Sequence, residues 1–176
     1  MALESPNITH IGHVTDSQLY EFVDSTHISE DRPTSRYGLC VFINGMLILS
    51  VSKKLACRTL SSTVSEYVGM SEAFKHIMFL IEFLEELGEK QGPVPMGCDN
   101  TGAIAIAENK GSNAGRVKHI KARVHWIQDI IESNIIILKK VPTKYMPADV
   151  LTKALAYIEH ARHAGYIKRI KFPQRG

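Results

Sequence analysis

Cysteine is scarce in this sequence, with only Cys40, Cys57 and Cys98 among 176 residues. An odd, widely spaced set forms neither a disulfide framework nor a zinc pattern, and suits a reducing compartment. Cys98, next to Asp99, reads as a small buried thiol. Long apolar runs are missing too. No stretch approaches the roughly 20 apolar residues that a membrane span requires, so no membrane partner is expected. Residues 1–13 lack the basic and apolar segments of a signal peptide, and nothing in them argues for secretion. Internal repeats and low-complexity tracts are absent as well. What remains is one domain's length of chain, enough to bury a sizeable core.

Charge is present, but unevenly. Residues 1–100 hold 7 Lys/Arg against 13 Asp/Glu, and the remainder 14 against 5, so −6 is followed by +9. A basic half is compatible with a polyanion such as nucleic acid, although an ordinary solvated surface would look the same.

The apolar pattern gives the element order. Residues 20–24 read as a short strand. RYGLCVFINGMLILSVS holds two β-rich runs split by Asn44-Gly45, a strong hairpin signal because both residues tolerate positive φ. From residue 63 to 87 the spacing turns helical: Tyr67, Met70, Phe74, Ile77, Ile81 and Leu84 recur every three or four positions, and Gly88 stops the helix. Residues 93–98 form a strand candidate, followed by a small helix capped by Asn100 and running to about residue 108. A further helix covers residues 118–132. The β-branched run 134–141 reads as a buried strand, and Pro147 opens a last helix near its first position. The order β-β-β-α-β-α-α-β-α predicts an α/β fold, a mixed five-stranded sheet flanked by helices. Residues 1–18 form an N-terminal extension, 19–156 the domain, and 157–176 a basic tail with five Lys/Arg and one acid.

Four acids sit where local structure would present them. Asp24 ends the first strand, Glu66 lies in the first turn of the long helix, Asp99 ends the fourth strand, and Asp149 starts the last helix. Converging at one sheet edge, such carboxylates repel each other and call for hard cations, Mg²⁺ or Mn²⁺. Each also has a bland explanation. Thr63 and Glu66 spell a capping box. Asp149 suits its helix N-terminus and can pair with Lys153. Asp24 and Asp99 are ordinary turn formers. Taken together on this element order, the four are harder to dismiss.

At this point the residues resemble a family. PTSRYGLCVFINGMLILSVSKK, LSSTVSEYVGMSEA, MGCDNTGAIAIAEN, KHIKARVHWI and VPTKYMPADVLTKAL resemble, in order, the ribonuclease H domains of copia-type LTR retrotransposon polyproteins. The resemblance covers about residues 19–155. It implies a ribonuclease H fold and an endonuclease that cuts the RNA strand of RNA–DNA hybrids. It further implies two divalent ions held by Asp24 (FVDST), Glu66 (SEY), Asp99 (CDN) and Asp149 (ADVLTK). Two departures stand out. Family members usually carry a second Asp and a Trp shortly after the first acid, where this chain reads VDSTHISED. Val64 takes the place of a usual glutamate.

The implied partners are an RNA–DNA hybrid and the reverse transcriptase domain of the same polyprotein, in cytoplasmic virus-like particles or the nucleus. Lys110, Arg116, Lys118, Lys121 and Arg123 are the candidates for gripping phosphates, with Lys139, Lys140 and Lys144 behind them. By the same resemblance Asn100 and the backbone after Asp99 would read the ribose 2′-hydroxyl, while plain helix capping by Asn100 explains it equally well. His119 and His125 read as structural, and residues 141–147 contain no histidine to assign to catalysis. The competing reading is a catalytically weakened or dead module that keeps the fold and binds nucleic acid or protein.

Overall fold

The computed structural model describes residues 18–27, 34–55, 61–108 and 120–169. Strands β1 (Leu19–Thr26), β2 (Arg36–Ile43) and β3 (Met46–Lys54) form an antiparallel meander. Its β2–β3 turn is Asn44-Gly45, with φ of 52° and 73°, the positive pair that a tight hairpin needs. Helix α1 (Ser62–Glu86) leads to β4 (Val94–Cys98), α2 (Thr101–Ala107), α3 (Lys121–Glu132) and β5 (Ile136–Lys140). A single 3₁₀ turn at Thr143–Tyr145 precedes α4 (Asp149–Thr152) and α5 (Tyr157–Arg169). The sheet order is β3-β2-β1-β4-β5, with β4 parallel to both β1 and β5.

β1 is central, and all eight of its residues are buried. Period-two alternation divides them between two cores. Leu19 and Val23 join the larger core with Tyr67, Phe74 and Ile77 of α1 and Val124 and Ile127 of α3. Tyr20 and Phe22 join the smaller one with Phe42, Met146 and Ala148. There Tyr20 stacks on Phe42 at 5.2 Å between ring centroids, and Phe22 meets the same ring edge-on at 5.9 Å.

Three local expectations are revised. The cap of α1 is Ser61, whose hydroxyl accepts from the Val64 N–H at 3.2 Å. Thr63 and Glu66 therefore make no capping box, and Glu66 is left to face elsewhere. The helix expected from Pro147 is a single turn, because the chain turns extended at Lys153 (φ −118°, ψ 142°). The stretch read as a basic tail begins as α5, whose His163 and Tyr166 are buried. At the other end of α1, Gly88 (φ 86°) closes the helix: its N–H reaches the Glu85 carbonyl and the Glu89 N–H reaches that of Leu84.

Candidate metal centre

Two glycines allow the acid-bearing helices to approach β1. Gly38 lies opposite Asp24 on β2. A Cβ there would sit 2.8 Å from the Ala148 carbonyl and 2.9 Å from the Thr152 methyl, so α4 can rest on the strand only above a glycine. Gly69 does the same for α1, where a Cβ would come within 2.9 Å of Ser25. Hydroxyls then lock α1 to β1. Ser25 Oγ lies 3.0 Å from the Ser65 carbonyl, and Ser65 Oγ donates to the Thr26 carbonyl at 2.7 Å. Strand end and helix start are thereby fixed together, with Asp24 preceding one serine and Glu66 following the other.

All four acids arrive at this edge of the sheet. Among the described residues, Asp24, Asp99 and Asp149 each offer a carboxylate oxygen within 4.8 Å of the others, and Glu66, Cys98 and Asp99 form a second such group. Asp99 belongs to both. Asp24, Glu66 and Asp149 are buried, and Asp99 is half-buried. Such crowding of negative charge is visible in the proton affinities. Burial, then the charges of Asp24 and Asp99, push Glu66 up to about 10. Burial, then Asp24, also raises Asp149 above the usual carboxylate range, against the pull of Lys153.

The donor set suits a hard divalent ion. Glu66 Oε2 is buried and has no hydrogen-bond partner among the described residues, a vacancy costly in any fold unless something charged or polar meets it. The oxygens are numerous and close together, as Mg²⁺ or Mn²⁺ requires. The Cys98 thiol is a poor ligand by comparison, since burial and then Glu66 raise its pKa and keep it protonated.

Further groups surround the cluster. Thr143 Oγ1 donates to Asp99 Oδ2 at 2.8 Å. Lys153 Nζ lies 3.1 Å from Asp24 Oδ1 and 2.8 Å from Asp149 Oδ1, and Thr152 Oγ1 donates to Asp24 Oδ2. The pairing of Asp149 with Lys153 is legible as an i,i+4 spacing. The reach of Lys153 and Thr152 to Asp24, well over a hundred residues earlier, carries no local signal. An open groove beside the acids runs between Thr26–His27 and Ala154–Leu155, with Glu66 and Lys153 among its lining.

Asn100 caps α2, its Oδ1 accepting from the Ala103 N–H at 2.9 Å. Lys121 is exposed at the start of α3. The Arg123 guanidinium is already engaged, 2.5 Å from Glu72 and 2.6 Å from the Ser71 hydroxyl. Lys140 stands in register with Cys98, one residue from Asp99. Lys144 lies over the Tyr145 ring at 4.5 Å. His125 is exposed on α3 rather than packed. Lys110, Arg116, Lys118, His119 and Cys57 lie outside the described residues. Among the described residues, no helix is long and apolar enough to cross a membrane.

No protein-family model matches the chain. Its sequence is 35% identical over 125 residues, 71% of the chain, to the retrovirus-related Pol polyprotein from transposon TNT 1-94 of Nicotiana tabacum. It is 30% identical over 144 residues, 81% of the chain, to that from transposon RE2 of Arabidopsis thaliana. The chain spans only about a tenth of these relatives, 9% and 10% of their lengths. Among solved structures, LC11-RNase H1 in complex with RNA/DNA hybrid aligns with a TM-score of 0.59 at 13% identity, over 77% of this chain and 94% of that one. The N-terminal RNase H domain of a Mycobacterium tuberculosis protein aligns with a TM-score of 0.53 at 12% identity, over 85% and 98%. The chain is a ribonuclease H-fold domain related in sequence to the Pol polyproteins of copia-type retrotransposons.

Proposed function

We propose that this domain hydrolyses the RNA strand of RNA–DNA hybrids during retrotransposon reverse transcription, with two divalent ions, Mg²⁺ or Mn²⁺, held by Asp24, Glu66, Asp99 and Asp149. One observation carries the reading. Carboxylates from three separate elements bring their oxygens within 4.8 Å of one another at a sheet edge that opens on a groove. Burial and this crowding raise the proton affinity of Glu66 and Asp149, and a bound divalent ion would relieve the repulsion.

Ions held there would supply Lewis acidity to an attacking water and to the leaving 3′ oxygen. The chain's own residues do the rest. Asp24, Asp99 and Asp149 would hold an ion together and Glu66 would join through Asp99, the acid common to both groups. Thr143 orients Asp99 through its hydroxyl. Products carry a 5′-phosphate and a 3′-hydroxyl.

Recognition follows shape rather than sequence, through phosphate and 2′-hydroxyl contacts. Asn100 caps α2 with its side chain, so backbone groups after Asp99 are the better readers of the 2′-hydroxyl. Lys121 serves the phosphate grip together with Lys110, Arg116 and Lys118. Arg123 joins only by leaving Glu72. The reverse transcriptase domain of the same polyprotein is the proposed protein partner, and virus-like particles in the cytoplasm, or the nucleus, the place of action.

A second reading, a module that binds hybrid without cutting it, is favoured by the engagement of both Asp24 oxygens by Thr152 and Lys153. A labelled hybrid incubated with Mg²⁺ or Mn²⁺, with and without added reverse transcriptase domain, separates the two. Cleavage of the RNA strand that needs Asp99 supports the nuclease. Binding without cleavage under every condition supports the module.

A further inference from the structure

The residues that close over Asp24 give the carboxylate cluster a cation from the chain itself. Asp24 is fully buried, and both of its oxygens are taken. Lys153 Nζ meets Oδ1 at 3.1 Å and Thr152 Oγ1 donates to Oδ2. The same ammonium meets Asp149 Oδ1 at 2.8 Å. One ammonium is therefore shared by the two carboxylates that form a group with Asp99. Glu66 feels the charge of Lys153 only at a distance, and its Oε2 has no hydrogen-bond partner among the described residues.

Chain geometry makes this contact releasable. α4 ends after one turn, and Lys153 takes extended backbone as its C-cap. Its side chain is 28% exposed and lines the open groove, as do the next two residues, Ala154 and Leu155. An unbranched four-carbon stem with a water-accessible end gives the ammonium a path into that groove. Asp24, locked in the sheet, cannot move in the same way.

We propose that Thr152 and Lys153 form a resident latch. The Lys153 ammonium is a tethered counter-ion that holds Asp24 and Asp149 together in the metal-free domain. A divalent ion must displace it to bind between them. The proposal rests on the reading of the cluster as a cation site and adds a competitor built into the chain. Lys153 and Thr152 are positioning residues here. Their effect is to weaken cation binding while stabilising the empty site, the opposite of what a merely supporting residue does.

The test uses the metal-free domain in two measurements, Mn²⁺ titration by calorimetry and thermal melting in chelator. Lys153→Met should tighten Mn²⁺ binding roughly tenfold, as expected when a positive charge leaves a site a few ångströms away. It should also lower the metal-free melting temperature, so that Mn²⁺ stabilises the variant more than the wild type. Lys153→Arg keeps the charge and should behave like wild type in both. Thr152→Val removes only the hydroxyl and should tighten binding less, which keeps the proposal testable if Lys153→Met fails to fold. Unchanged or weaker Mn²⁺ binding by Lys153→Met and Thr152→Val, beside measurable binding by wild type, overturns the latch and leaves the cation site standing. Wild-type and Asp99→Asn domains that bind Mn²⁺ equally, or not at all, overturn the cation site and the latch with it.

Discussion

Glu21 and Asp24 stand three residues apart on β1, and both are fully buried. Period two puts them on opposite faces of the sheet. Asp24, on the face of Tyr20 and Phe22, finds a hydroxyl and an ammonium for its two oxygens. Glu21, on the face of Leu19 and Val23, has Val41 and Met96 as its register neighbours, and neither of its oxygens has a partner among the described residues. Burial pushes its carboxyl well above the usual range, so it stays protonated. Burial alone thus produces a silent neutral acid. At Asp24, by contrast, other elements deliver partners for both oxygens and further carboxylates nearby, surroundings that Glu21 lacks.

That contrast can be broken from either side. Asp99→Asn removes a ligand common to both carboxylate groups and should abolish hybrid cleavage. The expected loss exceeds about 10²-fold, since even residues behind metal ligands are worth about 10–100-fold. Circular dichroism should show the fold unchanged, because no core contact is lost.

Gly38→Ala attacks the compensation without touching an acid. The added methyl group overlaps the Ala148 carbonyl and Thr152, pushing α4 off β2 and drawing Thr152 and Lys153 away from Asp24 on β1. Overpacking of this kind costs about 1–3 kcal/mol. Chemical denaturation should report that loss, with cleavage falling alongside it. Full activity and stability in this variant would show that α4 need not rest on the strand.

Glu21→Met should act in the opposite direction. Replacing an unpartnered buried carboxyl by an apolar group of similar shape should stabilise the domain by about 1–3 kcal/mol. Melting should rise by roughly 2–4 °C for each kcal/mol gained. The gain should depend on pH. The folded state holds the Glu21 proton more tightly than the unfolded chain, so its contribution to stability is complete below the ordinary value of 4.5 and declines as pH rises above it. The advantage of Glu21→Met should therefore be smaller at pH 4 than at pH 8. Equal gains at both would mean that Glu21 is ionised in the fold.

The smallest effect concerns the candidate phosphate contacts in the basic half of the chain. Lys121→Glu should weaken hybrid binding uniformly across sequences and reduce the salt slope by about one counter-ion. Reversal of both Arg116 and Lys118 should flatten it further. Filter binding at several salt concentrations checks both variants, and an unchanged slope would move the contact surface elsewhere.

Much of this arrangement was legible in the sequence, for physical reasons. Strand hairpin, helix period and Gly88 stop are local signals, and the four acids were noticeable because each sits at an element's end. What stayed hidden depends on approach between distant segments. Gly38 and Gly69 look like any strand or helix glycine until α4 and α1 are seen resting on them. Ser61 won the α1 cap over Thr63 because its extended backbone (φ −159°) precedes the helix. The break of α4 after Thr152, which aims Lys153 at Asp24, has no Gly or Pro to announce it. Glu21 carried no signal at all, since a lone acid in a strand ordinarily faces water. Arg123 looked like a free cation until Glu72 of the neighbouring helix met it.

The most direct test of the cation site is a crystal of the domain grown with Mn²⁺ and measured for anomalous scattering. Manganese peaks are expected among Asp24, Glu66, Asp99 and Asp149, with the Lys153 ammonium displaced from Asp24. Fully occupied manganese elsewhere and none among the four carboxylates, with Lys153 still joining Asp24 to Asp149, would contradict the cation site.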